Sequence, residues 1–311
     1  MKLSAVIPCY NDENVLHALS ERLRSVFMAQ EWDYEILFVD DGSGDGTWQI
    51  IRELSLADNH IIGIRLSRNH GHQLALTAGM AKAVGDRILM IDSDLQDPPE
   101  LVPAMMKLMN AGADVVYGQR RSRRGVPHWK KFAYKIFYKL LSQLAGSDIP
   151  PDTGDFRLIS RSVADLLQAM PEQYRFIRGM VSWLGYKQVP LLYDRQARHA
   201  GESHYTLRKL FHFAFDGITS FSIQPLRVAS LFALFIGSLA ICGLIFIIVG
   251  WWMHRPVQGW TSLSVIILFL GSMQLFVLGI IGEYLGRLFI ESKRRPLYII
   301  AEVVGRKSDV S

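Results

Sequence analysis

Two rhythms of apolar residues run along the chain. Over the first 120 positions, short β-branched runs at 3–7, 35–39, 61–66, 87–91 and 115–118 predict strands. Segments with apolar residues every third or fourth position, at 15–30, 48–56, 73–84 and 101–111, predict amphipathic helices between them. Strands and helices that alternate over such short connections imply an α/β fold, a parallel sheet with helices on both faces. Ligands in such folds bind beyond the carboxyl ends of the strands. Here those ends carry Pro8-Cys9-Tyr10-Asn11-Asp12-Glu13, Asp40-Asp41-Gly42-Ser43, Ser67-Arg68-Asn69 and Asp92-Ser93-Asp94.

The second rhythm is continuous. Positions 228–253 and 256–282 contain no Asp, Glu, Lys or Arg, and each run exceeds the roughly 20 apolar residues that cross a hydrocarbon core. A core helix of a soluble domain would be shorter and interrupted by polar residues, so both runs are read as transmembrane helices forming a hairpin. Between them lie only His254 and Arg255, whereas the outer flanks hold Arg208, Lys209 and Arg227 on one side and Arg287, Lys293, Arg294 and Arg295 on the other. The positive-inside rule puts both flanks in the cytoplasm, with Trp251, Trp252 and Trp260 at the far interface. The expected organisation is a cytoplasmic catalytic domain over 1–205, juxtamembrane interfacial helices over 206–227, two spans over 228–282 and a cytoplasmic tail over 283–311. This describes a multi-pass protein of the inner (plasma) membrane.

Composition agrees. Half of the residues are hydrophobic and 20% are charged, and the mean hydropathy of +0.15 is high for a soluble enzyme. The net charge of +5, from 34 Lys and Arg against 29 Asp and Glu, gathers between Arg120 and Lys139 and beside the spans. That placement suits lipid head groups and phosphorylated substrates, and no nucleic-acid partner is expected. The stretch 129–141 reads as a basic amphipathic helix, either packed on the domain or lying on lipid. Cys9 at a strand end and Cys242 within a span cannot meet, so no disulfide is expected, consistent with a reducing compartment. The first eight residues are too short and strand-like for a signal peptide.

The candidate chemistry sits at the strand ends. Gly42-Ser43-Gly44-Asp45-Gly46-Thr47 follows the second strand and lacks the spacing of a dinucleotide fingerprint. Read as a calcium loop from Asp41, it would put Arg52 where a bidentate Glu belongs. No Walker P-loop occurs in the sequence. A glycine-rich turn accounts for the glycines but not for Asp40-Asp41, two adjacent acids at a buried strand's mouth, which repel unless a ligand or cation uses them. In Asp92-Ser93-Asp94-Leu95-Gln96-Asp97-Pro98-Pro99-Glu100, alternation along an extended backbone sends Asp92, Asp94 and Gln96 to one side. Three oxygen ligands then converge past an apolar strand, as a hard divalent cation, Mg²⁺ or Mn²⁺, requires. Pro150-Pro151-Asp152-Thr153-Gly154-Asp155-Phe156-Arg157 breaks the chain and presents Asp155 and Arg157 at the start of an apolar run, where a helix N-cap with a solvated arginine is the plainer reading. Arg175, Arg178, Arg195 and Arg198 add guanidinium forks suited to phosphate oxygens, beside the loop Gly201-Glu202-Ser203-His204-Tyr205.

Together with Val39-Asp40-Asp41-Gly42-Ser43, Arg68-Asn69, Gly154-Asp155-Phe156-Arg157-Leu158 and Gly282-Glu283-Tyr284-Leu285-Gly286-Arg287, these motifs give nearly the whole chain a resemblance to the family 2 glycosyltransferases. The likeness is greatest to the membrane-bound polyprenyl-phosphate glycosyltransferases related to dolichyl-phosphate mannose synthase and bactoprenol glucosyltransferase. The resemblance implies a GT-A-type, Rossmann-like nucleotide-sugar domain followed by the two-helix transmembrane hairpin. It places Pro8, Tyr10, Asn11, Asp12, Asp40, Asp41, Arg68, Asp92 and Ser93 at the nucleotide, and Asp92, Asp94 and Gln96 at the metal and diphosphate. Arg157, Arg175, Arg178, Arg195, Arg198, Ser203, His204 and Tyr205 fall at the acceptor and its phosphate, with Asp94 and Asp155 catalytic. Two positions depart from the family pattern: Asp12 stands where Glu is usual, and His204, only partly charged at neutral pH, where Lys is common.

The activity implied is inverting, metal-dependent transfer of one sugar from a nucleotide-diphosphate sugar, by overall likeness UDP-glucose, to polyprenyl (undecaprenyl) phosphate. A phosphate monoester with a second pKa near 6 is already ionised at neutral pH, so Asp155 is weighted as an orienting residue above a base. A processive polysaccharide synthase would call for more spans, and a non-catalytic nucleotide-sugar-binding membrane module would have no use for the acids and arginines together. The sequence leaves a homo-oligomer open.

Overall fold

A computed structural model of the chain describes residues 1–120, 153–194, 224–253 and 259–305. Of these, 1–120, 153–194 and 296–305 belong to a sheet unit, and 224–253 and 259–295 to a helical unit.

The sheet unit is built on eight strands: β1 (Lys2–Cys9), β2 (Asp33–Asp40), β3 (Ile61–Leu66), β4 (Arg87–Met90), β5 (Val115–Arg120), β6 (Thr153–Ser160), β7 (Gln188–Tyr193) and β8 (Ile300–Val304). Their spatial order is β7-β5-β6-β4-β1-β2-β3-β8. The first four strands pair in parallel, with Cys9 opposite Asp40 and Val6 opposite Met90. The sheet as a whole is mixed, because β6 runs antiparallel to both β4 and β5, and β8 antiparallel to β3. The expectation of an all-parallel sheet is corrected here. It came from the regular alternation of the first 120 residues, and β6 enters only after that alternation ends.

Among the described residues, the helices of this unit are α1 (Leu16–Ala29), α2 (Thr47–Ala57), α3 (His72–Lys82), α4 (Val102–Asn110), α5 (Arg161–Ala169) and α6 (Ile177–Trp183), with a 3-10 turn at Pro99–Leu101. Strand alternation divides the core between two faces. On one, Leu3, Ala5, Ile7 and Cys9 join Leu16, Leu19, Leu23 and Phe27 of α1 and Met105 and Met109 of α4. On the other, α3 approaches β1 and β2 so closely that a Cβ on Gly79 would lie 2.3 Å from Val6 Cγ1 and 2.9 Å from Val39 Cγ2. The site loops are thus anchored from both sides of the sheet, and burial of the large side chains contributes about 1.5–3 kcal/mol each.

Two boundaries shift. Asp155 and Arg157 lie within strand β6, not at a helix N-cap. The expected tail contributes the edge strand β8, whose Ile300, Val303 and Val304 pair with Leu66, Ile64 and Gly63 of β3; its β-branched run gives it that capacity.

In the helical unit, α7 (Gln224–Trp252) and α8 (Trp260–Ser292) run 29 and 33 residues. Helix α7 therefore begins inside the stretch assigned to juxtamembrane helices, and α8 continues ten residues past Gly282. Among the described residues, the stretch Phe269–Ser292 is long and apolar enough to cross a membrane. Leu231, Phe235, Ile245 and Phe246 of α7 and Ile267, Leu275, Phe276 and Leu285 of α8 are exposed, far more apolar surface than a water-facing helix carries. The stretch 129–141, Arg195, Arg198, Ser203, His204 and Tyr205 lie outside the described residues.

Candidate active site

The parallel strands end side by side, and their loops are tied by carboxylates. At the end of β1, Asn11 sits at φ 55°, a left-handed conformation that Asn tolerates. Its backbone N–H donates to Ser43 Oγ at 3.0 Å, and its side-chain oxygen accepts from the Gly44 N–H at 2.9 Å. Asp12 Oδ2 accepts from the Tyr10 N–H at 2.9 Å and from Ser93 Oγ at 2.7 Å, which joins the β1 loop to the β4 loop. Burial, assisted by Asp45 and Asp94 nearby, raises the Asp12 pKa despite those two donors.

Asp40 is fully buried, accepting the Ser43 N–H at 3.0 Å with Arg65 Nε 3.5 Å away. Asp41 accepts from the backbone of His70 at 2.7 Å and of Gly71 at 2.8 Å, and burial raises its pKa against those bonds. The two acids face different partners, and Asp40 still adds to the rise of the Asp41 pKa. Gly42, which follows them, has φ +70°, and a Cβ there would lie 2.6 Å from the carbonyl carbon of Arg68, so the turn demands glycine. Tyr10 and Arg68 are exposed at this rim, and Pro8 is buried in β1.

The backbone after β4 is not extended. Strand β4 ends at Met90, and Leu95 has φ 58°, so 92–96 forms a turn in which Asp94 Oδ1 accepts the Gln96 N–H at 3.1 Å. The alternation argument for three converging ligands is corrected accordingly. Asp92 and Asp94 share the turn, whereas Gln96 is only 7% exposed.

Antiparallel β6 brings the second half of the site into place. Its register sets Arg157 opposite Met90, at the end of β4. Asp155 is buried and clasped by Arg178, Nε to Oδ1 at 2.8 Å and Nη2 to Oδ2 at 3.2 Å. Gln73 Nε2 also donates to Asp155 Oδ2 at 3.2 Å. Burial alone would raise the Asp155 pKa, but Arg178, His72 and Arg157 outweigh it and hold the carboxyl well below the usual range. Arg157, on the same face of β6, is buried and donates Nη2 to the Gly154 carbonyl at 3.1 Å. Burial pulls its pKa down to about 10.

His72 Nε2 lies 3.0 Å from Asp92 Oδ1. Burial lowers its pKa, but Asp92 and Asp155 more than compensate and the net shift is upward. Potential ligand atoms of His72, Asp92 and Asp155 fall within 4.8 Å of one another. Asp155 already faces a guanidinium, which competes with any cation held by this trio.

Arg175 does not face this site's carboxylates. Its Nη2 donates to the carbonyls of Leu167 and, at 3.1 Å, Met170, closing the C-terminal end of α5 where orphan carbonyls need donors. His72, Gln73, Asp97 and Tyr193 join the site without having been singled out from the sequence. The first two follow the Arg68-Asn69 signal at the start of α3. The Tyr193 hydroxyl donates to Asp97 Oδ1, both residues being buried, a contact across 96 positions that no local pattern announces.

The family model described as Glycosyl transferase family 2 matches residues 4–167. The uncharacterized glycosyltransferase YkcC of Bacillus subtilis (strain 168) is 43% identical over 306 residues, covering 98% of this chain and 95% of that protein. The bactoprenol glucosyl transferase of Shigella phage SfV is 40% identical over 307 residues, covering 96% and 98% respectively. Among solved structures, S. aureus TarS 1-349 in complex with UDP-GlcNAc gives a TM-score of 0.49 at 19% identity, covering 71% of this chain and 66% of that one. A family match over half of the chain, with relatives this similar along nearly all of it, shows that the chain belongs to glycosyl transferase family 2 and is a glycosyltransferase with a GT-A-like α/β fold.

Proposed function

We propose that the enzyme transfers one sugar, glucose from UDP-glucose, with inversion to the phosphate of a polyprenyl (undecaprenyl) lipid, giving a lipid-linked monosaccharide phosphate. The observation that carries this reading is the 40% identity, along nearly the whole of both chains, to a protein named bactoprenol glucosyl transferase. In the reaction, the bond from the sugar's anomeric carbon to the donor diphosphate breaks and a bond to an acceptor phosphate oxygen forms. The nucleoside diphosphate departs with the electron pair.

The nucleotide lies over the ends of β1, β2 and β4, framed by Pro8, Tyr10, Asn11, Asp12, Asp40, Asp41, Arg68, Asp92 and Ser93. Asp92 and Asp94 would hold a divalent cation, Mg²⁺ or Mn²⁺, whose charge would offset what develops on the leaving diphosphate. The acceptor phosphate is largely ionised at neutral pH and needs no base. Asp155, paired with Arg178 at 2.8 Å and held firmly ionised, serves best by fixing that guanidinium and Arg157 toward the acceptor. By the family resemblance, acceptor binding is also assigned to Arg195, Arg198, Ser203, His204 and Tyr205.

A lipid acceptor gives a reason for the apolar helices. The sheet unit precedes α7, and β8 belongs to that same unit after α8. A segment that leaves and rejoins one water-facing unit crosses a bilayer an even number of times, as a hairpin would, and the Lys and Arg on the outer flanks of the apolar runs favour the cytoplasm for that unit. Cysteine labelling from outside intact cells should then reach a Cys placed at Gln258 and not one placed at Ser308; labelling of Ser308 alone would reverse the topology.

The reaction is tested with full-length protein in detergent, UDP-[14C]glucose and a short-chain polyprenyl phosphate. Label should enter the organic phase as the lipid phosphate plus one hexose. Label in a water-soluble polymer, or equal transfer to a polyprenol lacking phosphate, would overturn the reading.

A further inference from the structure

We infer that Gln73 is a positioning residue, the hub of a hydrogen-bonded chain through His72 that holds the donor-side carboxylate Asp92 and the acceptor-side carboxylate Asp155 in a fixed relation. The inference rests on the glycosyl transfer proposed above.

The Gln73 amide has only one workable orientation. Its Oε1 accepts the backbone N–H of Ile177, the first residue of α6, at 3.0 Å. A flipped amide would set NH₂ against that N–H and oxygen against the Asp155 carboxylate, two repulsions in place of two bonds. Nε2 therefore faces the site, donating to Asp155 Oδ2 at 3.2 Å and lying 3.3 Å from His72 Nδ1. The amide nitrogen carries two hydrogens, and these are its two acceptors.

That assignment sets the imidazole. His72 Nδ1 is 3.6 Å from Asp155 Oδ2, beyond hydrogen-bond reach, so Gln73 is the partner of Nδ1. In the neutral imidazole, with Nδ1 accepting, the one proton resides on Nε2, which donates to Asp92 Oδ1 at 3.0 Å. The chain runs from the α6 backbone through Gln73 to Asp155 in one branch, and through His72 to Asp92 in the other. The base of this arrangement is also tied: Thr77 Oγ1 donates to the Gln73 carbonyl at 2.8 Å, and Gln168 of α5 donates to the Thr77 carbonyl at 2.9 Å.

An uncharged side chain with three partners thus sets the spacing between the two halves of the site. Removing its amide leaves the Ile177 N–H, one Asp155 oxygen and His72 Nδ1 each short of a partner. In-line transfer requires the acceptor phosphate and the departing diphosphate in register, and a displacement of about 1 Å costs about 100-fold in rate.

The test uses full-length protein in detergent carrying Gln73→Met, similar in length but unable to hydrogen-bond. Its kcat should fall about 100-fold, while the donor KM and the Kd for UDP stay within about threefold. A merely structural role would instead lower the melting temperature and weaken UDP binding in parallel; that outcome, or turnover within about threefold of wild type, overturns the inference. Should Gln73→Met not fold, His72→Gln against His72→Leu decides. Only the former keeps an N–H for Asp92, and its kcat should be about tenfold higher; equal rates overturn the chain. A readout independent of the reaction is the ¹⁵N spectrum of labelled histidines, with the His72 signal identified by its loss in His72→Gln. Once the ring is neutral, a proton on Nε2 is expected, and a proton on Nδ1 instead overturns the assignment. Absence of lipid-linked product from wild type would defeat the proposed reaction, whereas the histidine spectrum decides the hydrogen-bonded chain whatever the acceptor is.

Discussion

The two halves of the site use the same residue type in opposite ways. On the donor side, Asp12, Asp40 and Asp41 accept from backbone N–H groups and hydroxyls of their own and neighbouring loops, and burial raises the pKa of Asp12 and Asp41. On the acceptor side, Asp155 faces the Arg178 guanidinium, with Arg157 and His72 near, and its pKa is lowered. Environment, not residue identity, assigns the roles. In the proposed reaction, the donor-side acids shape loops around a nucleotide, whereas Asp155 organises cations for a phosphate.

The sharpest way to break that contrast is to remove the acceptor-side charge. Asp155→Asn removes the anion that faces Arg178 at 2.8 Å and lies near the buried Arg157, and should cost about 3–5 kcal/mol of stability, read as a large fall in the thermal midpoint. A midpoint unchanged by the substitution would mean that the Asp155–Arg178 pair contributes nothing to holding the site. Next in size is Asp94→Asn, whose amide oxygen still accepts the Gln96 N–H, so the turn survives while the charge is lost. Turnover should drop about 10²–10³-fold, with the thermal midpoint retained; metal-dependent turnover near that of wild type would remove Asp94 from the cation.

A smaller effect probes the donor-side loops. Gly42→Ala forces a Cβ to within 2.6 Å of the Arg68 carbonyl carbon at φ +70°, and should destabilise by more than about 1 kcal/mol while raising the KM for donor before that for acceptor. The reverse order would place this turn on the acceptor side. The smallest is a pH effect. Because the folded pKa of His72 lies above its ordinary value, its ion pairs stabilise fully below about pH 6.5 and fade as pH rises through the folded pKa. In metal-free protein, the midpoint advantage of wild type over His72→Gln should therefore shrink from pH 6 to about pH 9; an advantage that grows with pH would have the sign wrong.

The donor side is legible in the sequence because its acids follow directly on the apolar strands that carry them. Asp40-Asp41-Gly42-Ser43 and Asn11-Asp12 follow apolar strands, and their partners lie in adjoining loops. Strand ends are legible within a few residues, Ile61–Leu66 without error, since hydrophobic alternation under burial dictates them. The acceptor side is legible only in part. Asp155 and Arg178 stand out as residues, but their pairing depends on β6 running antiparallel beside β4, and nothing in the spacing of 153–160 reports direction. Arg175 resembles its neighbour Arg178, yet its donors close α5; three residues along the chain decide which way a guanidinium points. His72 and Gln73 stand close to a motif but begin a helix, where apolar periodicity points toward packing. Strand β8 reads as tail because a five-residue strand after two apolar helices has no partner until the chain closes on itself.

The division of labour between the two sides is most directly measured by paired titrations on Arg178→Gln in full-length protein, one varying UDP-glucose and one varying short-chain polyprenyl phosphate. Arg178 clasps Asp155 at 2.8 Å, and losing it should raise the acceptor KM about tenfold or more while the donor KM stays within about twofold. A rise confined to the donor titration would contradict the account.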